Sequence, residues 1–386
     1  MNTDIQTDPG SGRGIVRPMR ADEKNEVKQV MIRSFNRFAG LFFDFGDQAF
    51  VYELDGRICG GITLSAFRID KGRRGGIVKW MFTLPETRGK GAAGAMLDRA
   101  QAWFDQQGCD HQFACVEGYN TPSSNQFAKR RFQIMSFMTQ VRTFGWSLPR
   151  VWLRTVHTVD VGHFLWERSV ETSQDSKTPI RDDAPAKNLH WLAGLSVTIL
   201  LQSVFGVIMT VRWGQPLTLS ILWQIPLVLT LLLGGRLWRM FRAARGDGLS
   251  VVYRPWETGL LLSGTIPLLF GGIFVVPGGV YPDQTIWRYR ELLPRIGKMA
   301  FAGTWPVVLA ALLLHGLTVL TSLPPGLNQL ADVFLFYARG FLLFEVVFVF
   351  FPFKGYNGSQ IRNWSQGKWA MLLAGTILLW ALQFVS

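Results

Sequence analysis

The pattern of apolar and polar positions divides the chain near residue 187. Up to there, short apolar runs alternate with polar and turn-forming residues, as in an ordinary soluble domain. Beyond it, six apolar stretches stand out, at roughly 189–211, 217–235, 257–277, 300–320, 333–353 and 368–385. Each is close to the ~20 residues a helix needs to cross a bilayer. In the first half, "AFVYELDGRICGGITLSAF" (49–67) reads as two β-rich runs joined at Asp55-Gly56, a hairpin signal because both turn positions need positive φ. A third strand is predicted at 75–84. A helix follows at 92–108, with Ala95, Met96, Ala100, Trp103 and Phe104 at helical spacing and Gly108 as its stop. A strand at 112–119, a helix at 122–132 and a last strand at 134–144 complete the set.

Residues 171–187, with two prolines and no periodicity, read as a linker. Before it, residues 146–170 interleave Trp and Leu with Arg, as expected of a segment resting on a bilayer surface. His157, Asp160 and His163 lie there at helical spacing and could ligate a metal, but with no Cys or Glu partner nearby a chance arrangement is the favoured reading. The formal charge is +13. Much of the arginine flanks apolar stretches, where it sets orientation in a membrane. Arg236, Arg239, Arg242, Arg245 and Arg254 precede the third stretch, and Arg288, Arg290, Arg295 and Lys298 follow it. Both its sides are then cytosolic, and with Gly264, Pro267, Gly271 and Gly272 inside it, a broken or re-entrant segment is predicted. Cys59, Cys109 and Cys115 lack metal-site spacing and fit a reducing compartment. The first 36 residues hold no apolar signal core, so the N-terminal domain is expected in the cytosol. Nothing in the chain calls for nucleic acid.

"RGKGAAGAML" (88–97) runs into the predicted 92–108 helix. Gly89, Gly91 and Gly94 formally satisfy the dinucleotide fingerprint, but that fingerprint needs a parallel βαβ unit and here an antiparallel hairpin precedes it. The phosphate-loop pattern fails for want of Lys-Ser or Lys-Thr. What remains is an ordinary glycine-rich turn, or a nest of backbone N–H groups from 89 to 93 at a helix N-terminus, with Arg88 and Lys90 adding positive potential; such a nest suits a pyrophosphate. "LPETRGKGAAGAML" resembles the acetyl-CoA signature of the GCN5-related N-acetyltransferases (GNAT), with Arg88, Gly91 and Ala93 on its fixed positions; "YNTPSSNQFAKRRF" resembles the second signature through Asn120 and Phe132. The resemblance implies an α/β GNAT fold over 14–145, a mixed, mostly antiparallel sheet with flanking helices. It also implies an acyl-CoA donor held by Thr83, Arg88, Gly89, Lys90, Gly91, Ala92, Ala93, Asn120 and Phe127. Phe127 stands where the family usually has a proton-donating Tyr, and Arg131 where it has Gly. Transfer to an amine also needs a base. Glu117 is the first candidate and Glu86 the second, with Tyr119 a possible substitute acid.

In the region 188–386, "PGGVYP" (277–282), "KMAFAGTWPVVLAALL" (298–313) and "FVFFPFKGYNGSQI" (348–361) resemble the core of the site-2 proteases, intramembrane zinc metallopeptidases. Asn357 holds the position of the third zinc ligand, no HExxH occurs, and Trp256 and Leu260 stand for its histidines around Glu257. The resemblance therefore implies a protease scaffold without metal or protease chemistry. Glu345, inside an apolar run, is expected to be paired or to line a cavity, with Arg339 as candidate partner. The pattern as a whole points to a multi-pass protein of a bacterial inner membrane. It would move an acetyl or other acyl group from CoA to an amine: a membrane protein, an aminolipid or a metabolite. The alternative is an inactive acyl-CoA sensor or assembly scaffold.

Overall fold

The computed structural model describes residues 14–155, 157, 160–169, 190–350 and 353–384; the expected linker at 171–187 lies outside them. The chain divides into two units: Met1–Val116, Gln126–His157 and Leu165–Ile180 in one, Glu117–Asn125, Thr158–Phe164 and Arg181–Ser386 in the other.

The N-terminal part forms β1 (Ile15–Pro18), α1 (Lys24–Ser34), β2 (Gln48–Leu54), β3 (Arg57–Arg68), β4 (Arg74–Thr83), α2 (Ala92–Gln106), β5 (His111–Glu117), α3 (Thr121–Ala128), β6 (Gln133–Ile134), α4 (Phe137–Phe144), α5 (Leu148–Thr155) and β7 (His163–Ser169). The strands make one sheet in the order β1-β2-β3-β4-β5-β7-β6. β1 to β4 are antiparallel, and β5 runs parallel to β4. The β2–β3 hairpin turns at Asp55 and Gly56, both at positive φ as the dipeptide predicts. Val51 packs with Val27, Val30 and Met31 of α1. Its neighbour Phe50 lies under Arg99 of α2, 5.0 Å from ring to guanidinium. Adjacent strand residues point to opposite faces, so α1 and α2 cover opposite sides of the sheet. On the α1 side, Phe67, Ile77 and Phe113 join Phe144, Leu148 and Val151 of α4 and α5.

Two predicted elements differ. Strand pairing in 134–144 stops at Ile134, because the Ser136 side chain caps Thr139 N–H and starts α4. In 146–170 the chain forms α5 and then β7, whose Phe164, Leu165 and Trp166 are buried. Trp146, by contrast, is fully exposed.

The second unit carries α6 (His190–Arg212), α7 (Leu219–Gly246), β8 (Val251–Arg254), α8 (Glu257–Phe270), β9 (Gly279–Pro282), α9 (Tyr289–Leu320), α10 (Pro325–Leu342), α11 (Asn357–Trp364) and α12 (Gln366–Ala381). Among the described residues, α6, α7, α9 and the helix at 366–384 are long and apolar enough to cross a membrane; α8 is apolar but shorter. The third apolar stretch doubles back. α8 stops at Gly271, which with Gly272 takes positive φ, and the chain returns extended to pair β9 with β8, Arg254 opposite Gly279. The two ends of the stretch thus lie side by side. Its returning leg has no helix to satisfy its backbone, and side chains do so instead. Gln202 of α6 donates to the Val276 carbonyl and accepts from the Val276 N–H, both at 2.9 Å. The hydroxyls of Tyr356 and Tyr253 donate to the carbonyls of Val275 and Pro277 at 3.0 and 3.2 Å.

Gln202→Leu leaves a buried N–H and a buried C=O without partners, an expected loss of roughly 2–6 kcal/mol. It should appear as a lower melting temperature in detergent and new protease cleavage between residues 271 and 278. In the first unit, Arg131 sits at φ 66°, a left-handed conformation that costs an L-residue about 1–2 kcal/mol. Arg131→Gly is expected to raise stability by about 1 kcal/mol after the entropy of the added glycine, read as a higher denaturation midpoint.

Candidate functional site

β4 ends at Thr83, and Leu84 leads into a tight turn at Pro85–Thr87. Thr87 fixes it, donating from N–H and hydroxyl to the Leu84 carbonyl, each at 3.0 Å. Gly89 and Gly91 follow with φ of 82° and 83°, where any other residue is strained. Open space lies where each would carry a Cβ. Gly91 caps α2, its carbonyl accepting from Ala95 N–H at 3.0 Å. Among the described residues, no protein acceptor takes the amides of Gly89, Gly91, Ala92, Ala93 or Gly94. Five donors therefore stand open at the positive end of a 15-residue helix, with Arg88 and Lys90 exposed beside them. This arrangement can receive the two phosphates of a diphosphate.

Arg130 was not singled out in the sequence. It donates to the Gly94 carbonyl at 2.8 Å and to Asp98 at 2.7 Å, clamping the first turns of α2. A Cβ on Gly94 would lie 3.0 Å from its guanidinium, close enough that the arginine tip would have to shift. The contact joins residues 36 apart, and spacing gives no sign of it. Next to the loop, β4 and β5 pair only from Gly75–His111 to Val78–Ala114, although β4 continues to Thr83 and β5 to Glu117. A bulge at Lys79, which pairs with Asp44, falls where pairing ends.

Residues 17–132 match the model of the acetyltransferase (GNAT) family. The chain is also 29% identical over 131 residues to a candidate zinc metalloprotease of Methanocaldococcus jannaschii, a match covering 33% of this chain and 63% of that protein. Among solved structures it is similar to a GNAT acetyltransferase from Brucella melitensis in complex with acetyl-CoA (21% identity, 32% of this chain and 84% of that one, TM-score 0.27). An IAA acetyltransferase from Bacillus cereus is similar too (13% identity, 32% and 79%, TM-score 0.27).

The remaining GNAT-derived positions fall as follows. In the first unit, Phe127 is buried edge-on against Phe132, ring centroids 5.2 Å apart, and offers no proton. Glu86 is exposed and pairs with Arg33 at 3.4 Å. His157 is buried with its Nδ1 3.1 Å from the Cys115 sulfur; His163, of the second unit, opens β7. Glu117, Tyr119 and Asn120 belong to the second unit. Glu117 ends β5 and accepts from Tyr119 N–H at 3.0 Å. Although part of its surface is open, protein crowds the carboxyl, and this desolvation raises its pKa to about 7 against the Tyr119 hydrogen bond and the Lys354 charge. Tyr119 is buried between aromatic rings, with Tyr281 at 4.8 Å, and its hydroxyl donates to the Val280 carbonyl at 3.0 Å. Burial pushes that phenol well above its usual pKa. Asn120 opens α3, its side chain accepting from Ser123 N–H at 3.4 Å.

Asn357 sits at the start of α11 in a closed polar knot. Its side-chain amide donates to the Ala300 carbonyl and the Thr304 hydroxyl, both at 3.3 Å. Thr304 donates to Glu345 at 3.1 Å, and Arg236 of α7 donates to the same carboxylate oxygen at 2.9 Å. All four side chains are buried. The partner of Glu345 is thus Arg236 rather than Arg339: residues six apart on one helix do not face each other, and Arg339 instead lies 3.4 Å from His315 Nδ1. Trp256 is packed edge-on against Tyr356 at 5.0 Å and donates to the Tyr281 hydroxyl at 3.0 Å; Leu260 is buried. A guanidinium on the carboxylate, an amide turned donor-inward and two apolar residues do not fit the zinc ion of a site-2 protease. Arg236→Met strands a buried carboxylate and is expected to cost about 3–5 kcal/mol, whereas Arg236→Met with Glu345→Leu recovers most of that loss. Melting of the purified variants in detergent checks both.

Proposed function

We propose that the protein is a membrane-anchored acyltransferase that moves an acetyl or other acyl group from CoA to an amine at the cytosolic face of a bacterial inner membrane. The observation that carries this reading is the set of open amides at Gly89, Gly91, Ala92, Ala93 and Gly94 inside a segment matching the GNAT family. An acyl-CoA fits there: its diphosphate meets the amides, small side chains let it reach the backbone, and Arg88 and Lys90 add opposite charge. The parting of β4 and β5 beyond Val78 and Ala114 leaves strand edges free to bond the pantetheine amides.

The bound thioester supplies an electrophilic carbonyl and a thiolate leaving group. Glu117, with a pKa near 7, takes the proton that the acceptor ammonium must lose before its nitrogen attacks. Glu86, exposed on the turn, is the reserve base. The N–C bond forms, the C–S bond breaks, and the thiolate takes a proton from water, since Phe127 has none and the Tyr119 hydroxyl is bonded to Val280. Four long apolar helices support the anchor, for Leu200, Leu231, Leu313 and Ile377 lie exposed on them, which lipid tolerates better than water. The acceptor would be a membrane protein, an aminolipid or a metabolite held at the membrane.

One observation favours a second reading: Phe127 stands where the family has its proton-donating Tyr, and the Tyr119 hydroxyl is already bonded to the Val280 carbonyl. An acyl-CoA sensor built on two inactive domains would need none. Thiol release from acyl-CoA against a panel of amines separates the two, because the sensor binds acyl-CoA and releases no CoA.

Arg88→Glu and Gly91→Trp are expected to abolish acyl-CoA binding in calorimetry; unchanged binding would remove the loop from the site. A base works in its deprotonated form, so turnover should fall about tenfold per pH unit below about 7 and level off above it. Glu117→Gln should lower kcat by about 100-fold and flatten that limb.

A further inference from the structure

The second unit holds a groove that neither the acyl-CoA loop nor the Asn357 knot uses. It has a volume of about 760 Å³, within the roughly 300–1,000 Å³ of small-molecule sites. It lies between the first turns of α6, through Trp191 and Leu195, and the second half of α7, through Trp238, Phe241, Arg242 and Arg245. Its walls are aromatic and aliphatic: Trp191 and Phe241 meet edge to face at 5.3 Å. Its rim is cationic. Trp238, Arg242 and Arg245 stand at i, i+4 and i+7, one face of the helix. The Arg242 guanidinium lies over the Trp238 ring at 5.7 Å, and Arg239 lies over Trp238 and Trp305 at 6.0 and 5.5 Å. Among the described residues, none of Arg239, Arg242 and Arg245 forms an ion pair with a carboxylate, while the neighbouring Asp247 pairs with Lys298 at 3.4 Å.

From these observations we infer that the groove binds an anionic phospholipid, its acyl chain against Trp191, Leu195 and Phe241 and its phosphate on Arg242 and Arg245. Two features select this occupant together. The apolar trough begins on two helices able to cross a bilayer and wants hydrocarbon. The uncompensated arginines at its rim want a phosphate, which a guanidinium fork meets with paired hydrogen bonds. Exposed tryptophans at such a boundary sit at headgroup depth. A soluble anion leaves the trough open to water, and a zwitterionic lipid brings its own cation to the arginines. The inference rests on the membrane reading above, but not on acyl transfer.

The test uses the full chain reconstituted in phosphatidylcholine nanodiscs containing spin-labelled phosphatidylglycerol or spin-labelled phosphatidylcholine as probe. Electron spin resonance then gives the relative affinity for the two. A preference of about 25-fold for phosphatidylglycerol is expected, falling about five-fold for each of Arg242→Gln and Arg245→Gln and largely retained in Arg242→Lys. These side chains are exposed, so the variants should melt with the parent. Equal affinity for the two lipids, or a preference unmoved in the double Gln variant, overturns the site while leaving the membrane reading in place. A chain that enters no bilayer overturns both.

Discussion

Every buried backbone amide and carbonyl must find a partner, and the protein answers that constraint in two opposite ways. Where α8 ends and the chain returns extended, Gln202, Tyr253 and Tyr356 reach in to satisfy Val276, Pro277 and Val275. Without them, irregular backbone among apolar helices would be too costly to persist. At the start of α2 the same kind of group is left open, at the surface and at the positive end of a helix dipole. The first arrangement makes a scaffold, and the second leaves a cluster of hydrogen-bond donors unspent.

The Arg236–Glu345 pair extends the logic to charge. A carboxylate among apolar helices needs a counter-ion, and here another helix supplies it, with Thr304 and Asn357 filling the remaining hydrogen-bond positions. Asn357 therefore belongs to a closed, neutral knot. Both π-helical turns, Thr230–Gly234 and Leu343–Val347, lie at this pair: Arg236 comes just after one and Glu345 sits inside the other. The extra residue in each turn shifts the helix face that follows it.

Local signals in the sequence carried much of the first domain. Asp55-Gly56 announced its turn, and Gly89 and Gly91 announced the tight loop that starts α2, because each depends on backbone conformations that few residues adopt. The parting of β4 from β5, the bulge at Lys79 and the clamp by Arg130 left no such trace, since each depends on contacts far apart in sequence. The stretch 134–144 misled because alternating aromatic and branched residues suit a strand as well as they suit α4, and Ser136 decided between them. The partner of Glu345 was misassigned because its cation lies 109 residues away. The doubling back of the third apolar stretch, however, was legible from arginines on both its sides.

That last feature bears on how the chain is made. β8 and β9 are hydrogen-bonded strands whose partners, Val251 and Pro282, bracket the whole α8 stretch. The pair cannot close until the ribosome has delivered residue 282. Until then the leg that returns from Gly271 lacks both its strand pairing and a helix of its own, so the loop is completed only after its downstream strand has been synthesised.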